Sequence, residues 1–270
     1  MIRIDESLCI RCGACVRDCS MKNIRLGEKS AECLNGACNR CGHCLAVCPV
    51  GAVSMPEYGS SQVVEYDPDE ESISEDRFLD FLRARRSIRQ FKDRKVEKEK
   101  LEKLLQAGRY APSSGNRQSV SYLIVQERLD EFRDTAWEVL EDMAQRAFSG
   151  EQFTPQQELY APMWHRGYED FCRDRSRDVL FFNAPVLLVV RSDNVVDAAI
   201  AADHIQFMAE AMGLGTLYSG FLKREIDNYD SIRKILCTEQ HPQAVCMLIG
   251  YPDVKYYRTV PRKELSVEWR

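Results

Sequence analysis

Two stretches decide how this chain is read: Cys9-Ile10-Arg11-Cys12-Gly13-Ala14-Cys15-Val16-Arg17-Asp18-Cys19 and Cys38-Asn39-Arg40-Cys41-Gly42-His43-Cys44-Leu45-Ala46-Val47-Cys48. A shift of 29 residues lays one on the other, with six of eleven positions identical, among them the four cysteines, Arg11/Arg40 and Gly13/Gly42. Each stretch is C-x-x-C-x-x-C-x-x-x-C. Three thiolates two residues apart wrap a tight loop around three corners of a cubane, and the fourth lies beyond the loop, where a short helix turns it toward the other cluster. The spacing therefore predicts two crossed 4Fe–4S sites, one on Cys9, Cys12, Cys15 and Cys48, the other on Cys38, Cys41, Cys44 and Cys19. The crossing ties the halves together, and the metal supplies stability that so small a core lacks.

Zinc and disulfides are the competing uses of such cysteines. Structural zinc usually takes two C-x-x-C pairs, whereas here three thiols fall within seven residues with a fourth beyond, twice over. A disulfide framework belongs to small secreted proteins, and Met1-Ile2-Arg3-Ile4-Asp5-Glu6 has neither the basic flank nor the apolar core of an export signal. Of twelve cysteines, nine lie in the first 48 residues. Cys33 fits neither run and reads as a bystander; Cys172, Cys237 and Cys246 match no ligand spacing and read as core thiols. Over residues 1–56 the chain resembles a two-cluster bacterial ferredoxin, a small βαβ-pseudo-symmetric module. Pro49 follows Cys48 as in that family, while Ser20 replaces the proline expected after Cys19.

Outward from this module the charge changes. Residues 57–76 carry eight acidic groups and no basic one, while the flanking segments are nearly balanced, so the net charge of −5 is a property of this stretch. Like charges extend a chain, and residues 57–76 read as a solvated linker between a module at 1–56 and a domain at 77–270. Hydrophobic residues at 44% provide for an ordinary core. The longest apolar stretch, Ala184–Val190, is far too short to span a bilayer. No nucleic acid or membrane partner is expected, and the expected compartment is the cytoplasm.

From residue 76 the pattern predicts helices ending near Arg86, over 97–108 and over 195–212, and strands over 122–125, 186–191 and 244–249. Helices and strands alternate without strict βαβ spacing, so the domain reads as α+β. If the chain extends after the first helix, Arg85, Ser87 and Arg89 alternate onto one side, a set suited to phosphate; basic residues at a helix C-terminus also simply favour its dipole. His204 and Met208 lie one turn apart on the apolar helix and read as core.

Four motifs in order, Arg85–Phe91 (RRSIRQF), Ala111–Gln118 (APSSGNRQ), Gly213–Phe221 (GLGTLYSGF) and Gly250-Tyr251-Pro252 with Pro261-Arg262-Lys263, resemble the nitroreductase family over residues 77–265. The resemblance implies an intertwined homodimer with FMN in each interface cleft. It implies that Arg85, Arg86, Ser87 and Arg89 hold the flavin phosphate with Arg262 from the C-terminal tail, and that Pro112, Ser113, Ser114 and Asn116 approach the flavin from the partner subunit. Tyr218, Ser219 and Gly220 would pass near N5 with a backbone N–H. Two positions depart from the family: Gln118-Ser119-Val120 replaces Gln-Pro-aromatic, and Ser219 stands where a glutamate often precedes the glycine. The family's variable lid corresponds to residues 148–171, whose Tyr160, Trp164, His165 and Tyr168 offer either interface packing or an aromatic floor, with His165 a candidate proton donor.

Clusters carry single electrons and a flavin handles one or two, so the joined modules imply an iron–sulfur flavoenzyme. The expected donor is a low-potential carrier such as ferredoxin. The expected acceptor is small and planar: a nitroaromatic, quinone, activated alkene or flavin. The rival expectation is a non-enzymatic electron-transfer protein or a subunit of a larger redox complex.

Overall fold

The structure is a computed structural model that describes residues 2–34, 36–236 and 243–270. Two compact units divide the chain, one of Met1–Ser74 with Ser113–Arg117, the other of Glu75–Pro112 with Gln118–Arg270.

In the first unit the 29-residue repeat becomes a repeat of structure. The elements are β1 (Arg3–Ile4), α1 (Ala14–Asp18), β2 (Ile24–Leu26), β3 (Ala31–Cys33), α2 (His43–Ala46) and β4 (Val53–Ser54). The two helices begin 29 residues apart, each after a left-handed glycine, Gly13 (φ 73°) or Gly42 (φ 77°), which a side chain would strain. Pairing follows the same symmetry. Antiparallel β1–β4 places Ile4 opposite Val53, and antiparallel β2–β3 places Ile24 opposite Cys33. Ile2, Ile24, Ala31 and Val53 form its small core with Cys15 and Cys44. Cys33 is thus the repeat-mate of Ile4, a half-buried strand position packed on that core.

The second unit contains α3 (Glu75–Ala84), α4 (Lys98–Arg109), β5 (Ser121–Val125), α5 (Leu129–Phe148), α6 (Pro155–Arg173), β6 (Val186–Arg191), α7 (Val195–Ala211), β7 (Gly215–Tyr218), α8 (Gly220–Asn228), α9 (Asp230–Leu236) and β8 (Gln243–Gly250). One antiparallel sheet runs β5-β6-β8-β7. Its side chains alternate between two cores. Leu187, Val189 and Leu248 face α5, α6, α8 and α9, whereas Val186, Leu188, Val190, Met247 and Ile249 face α4 and α7. With both faces covered, the strands need unbroken apolar runs, which is why 186–190 and 245–249 carry no polar alternation.

This is the α+β architecture the sequence predicts, with boundaries shifted by one or two residues. The main difference is residues 148–171. The sequence pattern predicts no element there; most of the segment is α6, packed along α5, with Gly167 so close to Trp137 that a Cβ would lie 2.7 Å from its ring. Two thiols also part company: Cys246 is buried in the core, but Cys172 is exposed on α6, because it falls on that helix's outer face. Cys237 lies outside the described residues.

Candidate functional site

The first unit carries two thiol-lined clefts of nearly equal size, each partly open to solvent. One is lined by Cys9, Cys12, Cys15 and Cys48, the other by Cys19, Cys38, Cys41 and Cys44. Each thus gathers three thiols from one run and the fourth from the other. The Cys15 thiol is held above its ordinary range first by burial, then by the neighbouring Cys9, Cys12 and Cys48. Burial, with Cys41 and Cys38 adding to it, pushes Cys44 up to about 11. A positive metal centre would reverse that preference for the neutral thiol at both Cys15 and Cys44.

The local folding explains the gathering. Arg11 (φ 57°) and Arg40 (φ 56°) take left-handed conformations at equivalent places, curling each loop so that its cysteines face inward. Backbone donors also reach the sulfurs: Asn23 N to Cys19 Sγ and, 29 residues on, Ala52 N to Cys48 Sγ, both 3.3 Å, with Ala31 N to Cys9 Sγ at 3.4 Å. Among the described residues no three His, Cys, Asp or Glu side chains converge on a point suited to a single metal ion. The thiols stand around a space instead.

In the second unit a loop, a strand and a helix N-terminus meet at one sheet edge. The helix α7 ends in a Schellman turn, with Gly213 N donating to Glu210 O and Leu214 N to Ala209 O, and Gly213 at φ 72°. The chain then enters β7 beside residues 85–91. Ser87 bridges Thr216, Ile88 N donates to Thr216 O at 3.0 Å, and Phe91 bridges Pro252. A Cβ on Gly215 would sit 2.3 Å from Ile88, and one on Gly250 would sit 2.9 Å from Phe91, so these glycines permit the close approach. Three of the four motifs therefore come together.

At this edge Arg86 donates through Nη2 to Arg83 O, while its Nε is buried with no hydrogen-bond partner among the described residues. Arg85 and Arg86 both lie near Glu210, drawing its carboxyl down against the larger upward effect of burial. Ser219 caps α8, its Oγ accepting from Leu222 N at 3.3 Å, and its own N–H donates to Cys246 O at 2.9 Å. The Gly220 N–H lies in the first turn of α8, where it has no intrahelical acceptor, and a Cβ there would meet nothing within 4 Å.

Residues 82–251 match the model of the nitroreductase family, and residues 8–52 match that of the 4Fe-4S dicluster domain. The chain belongs to the nitroreductase family. It is an oxidoreductase with an N-terminal 4Fe-4S domain. A protein named NADH dehydrogenase/NAD(P)H nitroreductase from Archaeoglobus fulgidus is 27% identical over 176 residues, covering 64% of this chain and 84% of that one. Among solved structures, a nitroreductase with bound FMN from Bacteroides fragilis has a TM-score of 0.51 at 19% identity, covering 70% of this chain and 97% of the other. An iodotyrosine deiodinase bound to FMN and 3-iodo-L-tyrosine has a TM-score of 0.52 at 23% identity, covering 71% and 98%. These likenesses show the nitroreductase-like fold.

The remaining sequence-predicted residues of this nitroreductase-family chain are more scattered. Arg89 is exposed beside Ser87, and Arg262 is exposed in 255–270, a stretch with no helix, strand or buried residue. Pro112 belongs to the second unit, but Ser113, Ser114 and Asn116 group with the first. There the Asn116 amide donates to the carbonyls of both Asn39 and Arg40 at 2.9 Å. Trp164 is buried, edge-on to Phe221, so its ring faces protein; Tyr160 packs on the same Phe221. His165 bonds Glu141 at 3.0 Å across the α5–α6 seam, and that carboxylate holds its pKa up. Tyr168 is half-buried on the same helix. Sequence reasoning missed Glu225, fully buried on α8 with neither carboxylate oxygen paired among the described residues; nothing in the local pattern distinguishes it from a surface glutamate.

Proposed function

We propose that this chain passes electrons from a low-potential donor, ferredoxin or a similar carrier, through two 4Fe–4S clusters to FMN, and so reduces a small planar acceptor such as a nitroaromatic, quinone, activated alkene or flavin. The observation that carries the reading is the pair of four-thiol cavities on a chain whose other unit presents the family's flavin motifs at one sheet edge. Four thiols spaced around a cavity suit a cluster better than one tetrahedral ion. On the flavin side the fit rests on the unpartnered Arg86 Nε and the first-turn Gly220 N–H.

When bound, the clusters supply single-electron transfer and the flavin joins it to two-electron reduction. Cys9, Cys12, Cys15 and Cys48 hold one cluster; Cys38, Cys41, Cys44 and Cys19 hold the other. Arg85, Arg86, Ser87 and Arg89, joined by Arg262, bind the phosphate as charged and hydroxyl donors. Gly220 N–H, beside Tyr218 and Ser219, donates to the ring position that gains negative charge. Pro112, Ser113 and Ser114 of the partner subunit approach the ring, together with the partner's Asn116 oxygen, since that side chain's N–H donors are already engaged. The protein works as a homodimer in the cytoplasm. Two analyses of anaerobically purified protein test this. Iron and labile sulfide should each approach about eight per chain; about two zinc and no sulfide sinks the cluster reading. In stopped-flow mixing of the reduced protein with an acceptor panel, at least one acceptor should oxidise the flavin faster than it oxidises free dihydroflavin. If none does, the chain is an electron carrier rather than a reductase.

A further inference from the structure

The second cysteine run is gripped from outside its own sequence. Asn116 donates its two amide hydrogens to consecutive carbonyls, those of Asn39 and Arg40, both at 2.9 Å. The grip is well braced. Asn116 sits in a left-handed conformation (φ 53°) after left-handed Gly115 (φ 58°), closing a turn in which Asn116 N donates to Ser113 O. Asparagine tolerates that backbone better than most residues. On the other side, Arg40 Nε pairs with Glu57 at 3.1 Å, so Arg40 is held through both its side chain and its carbonyl.

A trans peptide points its C=O and N–H in opposite directions, and the described chain contains no cis bond. Drawing the Asn39 and Arg40 carbonyls toward Asn116 therefore turns the N–H groups of Arg40 and Cys41 away from it. Asn39, Arg40 and Cys41 line the cavity of Cys19, Cys38, Cys41 and Cys44. Hydrogen bonds to cluster and cysteine sulfur stabilise the more negative, reduced cluster and raise its potential.

We propose that Asn116 is a positioning residue for the second cluster: by clamping two carbonyls of the 38–41 loop it holds the Arg40 and Cys41 N–H groups toward the cysteine cavity and raises that cluster's potential alone. One side chain breaks the pseudo-symmetry, because it serves the second run and leaves Ile10 and Arg11 of the first untouched. An electron shared between the clusters then favours the one on Cys38, Cys41, Cys44 and Cys19. The clamp comes from residues 113–117, which group with the first unit although they lie far from the cysteine runs in sequence. The inference rests on the cluster reading above.

The test is an EPR-monitored redox titration of the full-length, cluster-loaded protein. Asn116→Gly keeps the left-handed backbone and removes the amide; Asn116→Asp keeps the shape and replaces donors with acceptors. Cys41→Ser and Cys12→Ser identify which signal belongs to which cluster. In both Asn116 variants the signal altered by Cys41→Ser should shift to lower potential, while the signal altered by Cys12→Ser stays in place. If neither signal moves, if both move together, or if only the Cys12 signal moves, the inference is overturned. A protein with no 4Fe–4S signal at all overturns the cluster reading itself, which separates the two failures.

Discussion

Glu225 is the residue least at ease in this fold. Burial holds its carboxyl well above the ordinary range, and neither oxygen has a partner among the described residues. The folded state therefore keeps it neutral, while the unfolded chain ionises it near its usual pKa of about 4.3. Its contribution is fully present below that value and is lost as pH rises, because ionisation then favours the unfolded chain. Glu225→Gln should raise Tm at pH 8, and the gain over the native protein should shrink as pH falls toward 5.5. A gain that is constant with pH, or absent, contradicts a buried neutral acid. At this scale cysteine spacing was fully readable, since ligand geometry is local. Glu225 was not, because burial is decided by residues distant in sequence. The role of Cys33 became plain only once strand pairing set it opposite Ile24, as Ile4 is set opposite Val53.

Among the elements, β5, β6, β8, α4 and α7 were legible because each has a steady apolar pattern. The helix α6 was obscured by its own breakers, Pro162 and Gly167. Its start nevertheless carries a capping box: Thr154 Oγ1 accepts from Gln157 N at 3.3 Å, Gln157 Oε1 accepts from Thr154 N at 3.0 Å, and Pro155 occupies the first turn. That Thr-Pro-Gln-Gln signal would have revealed the helix. Thr154→Ala should cost about 1 kcal/mol, a fall in Tm of about 2–4 °C, measured by thermal denaturation of the flavin-loaded protein. No change would mean the cap contributes nothing to the docked helix.

For the whole molecule, apolar surface left uncovered is the main observation. The helix α3 packs Phe78 and Phe81 edge-on against Phe207, yet contains no buried residue, and Leu79 is exposed with Phe78. The tail ends with Leu265 at 91% and Trp269 at 92% exposure. Surfaces of this kind usually meet a partner, and the homodimer proposed above supplies a second copy. Sedimentation equilibrium should give twice the chain mass, and Leu265→Ala with Trp269→Ala should raise the dissociation constant at least about tenfold, as loss of anchoring side chains does. A monomer at micromolar concentration contradicts the dimer. By itself the sequence determined the two cysteine runs, their crossing and the alternating helices and strands, because spacing and periodicity act over a few residues. Only the tertiary structure brought Ile88 onto Gly215, Asn116 onto the 38–41 loop and Glu225 into the core. Those contacts join residues tens of positions apart, and close packing of the whole chain decides them.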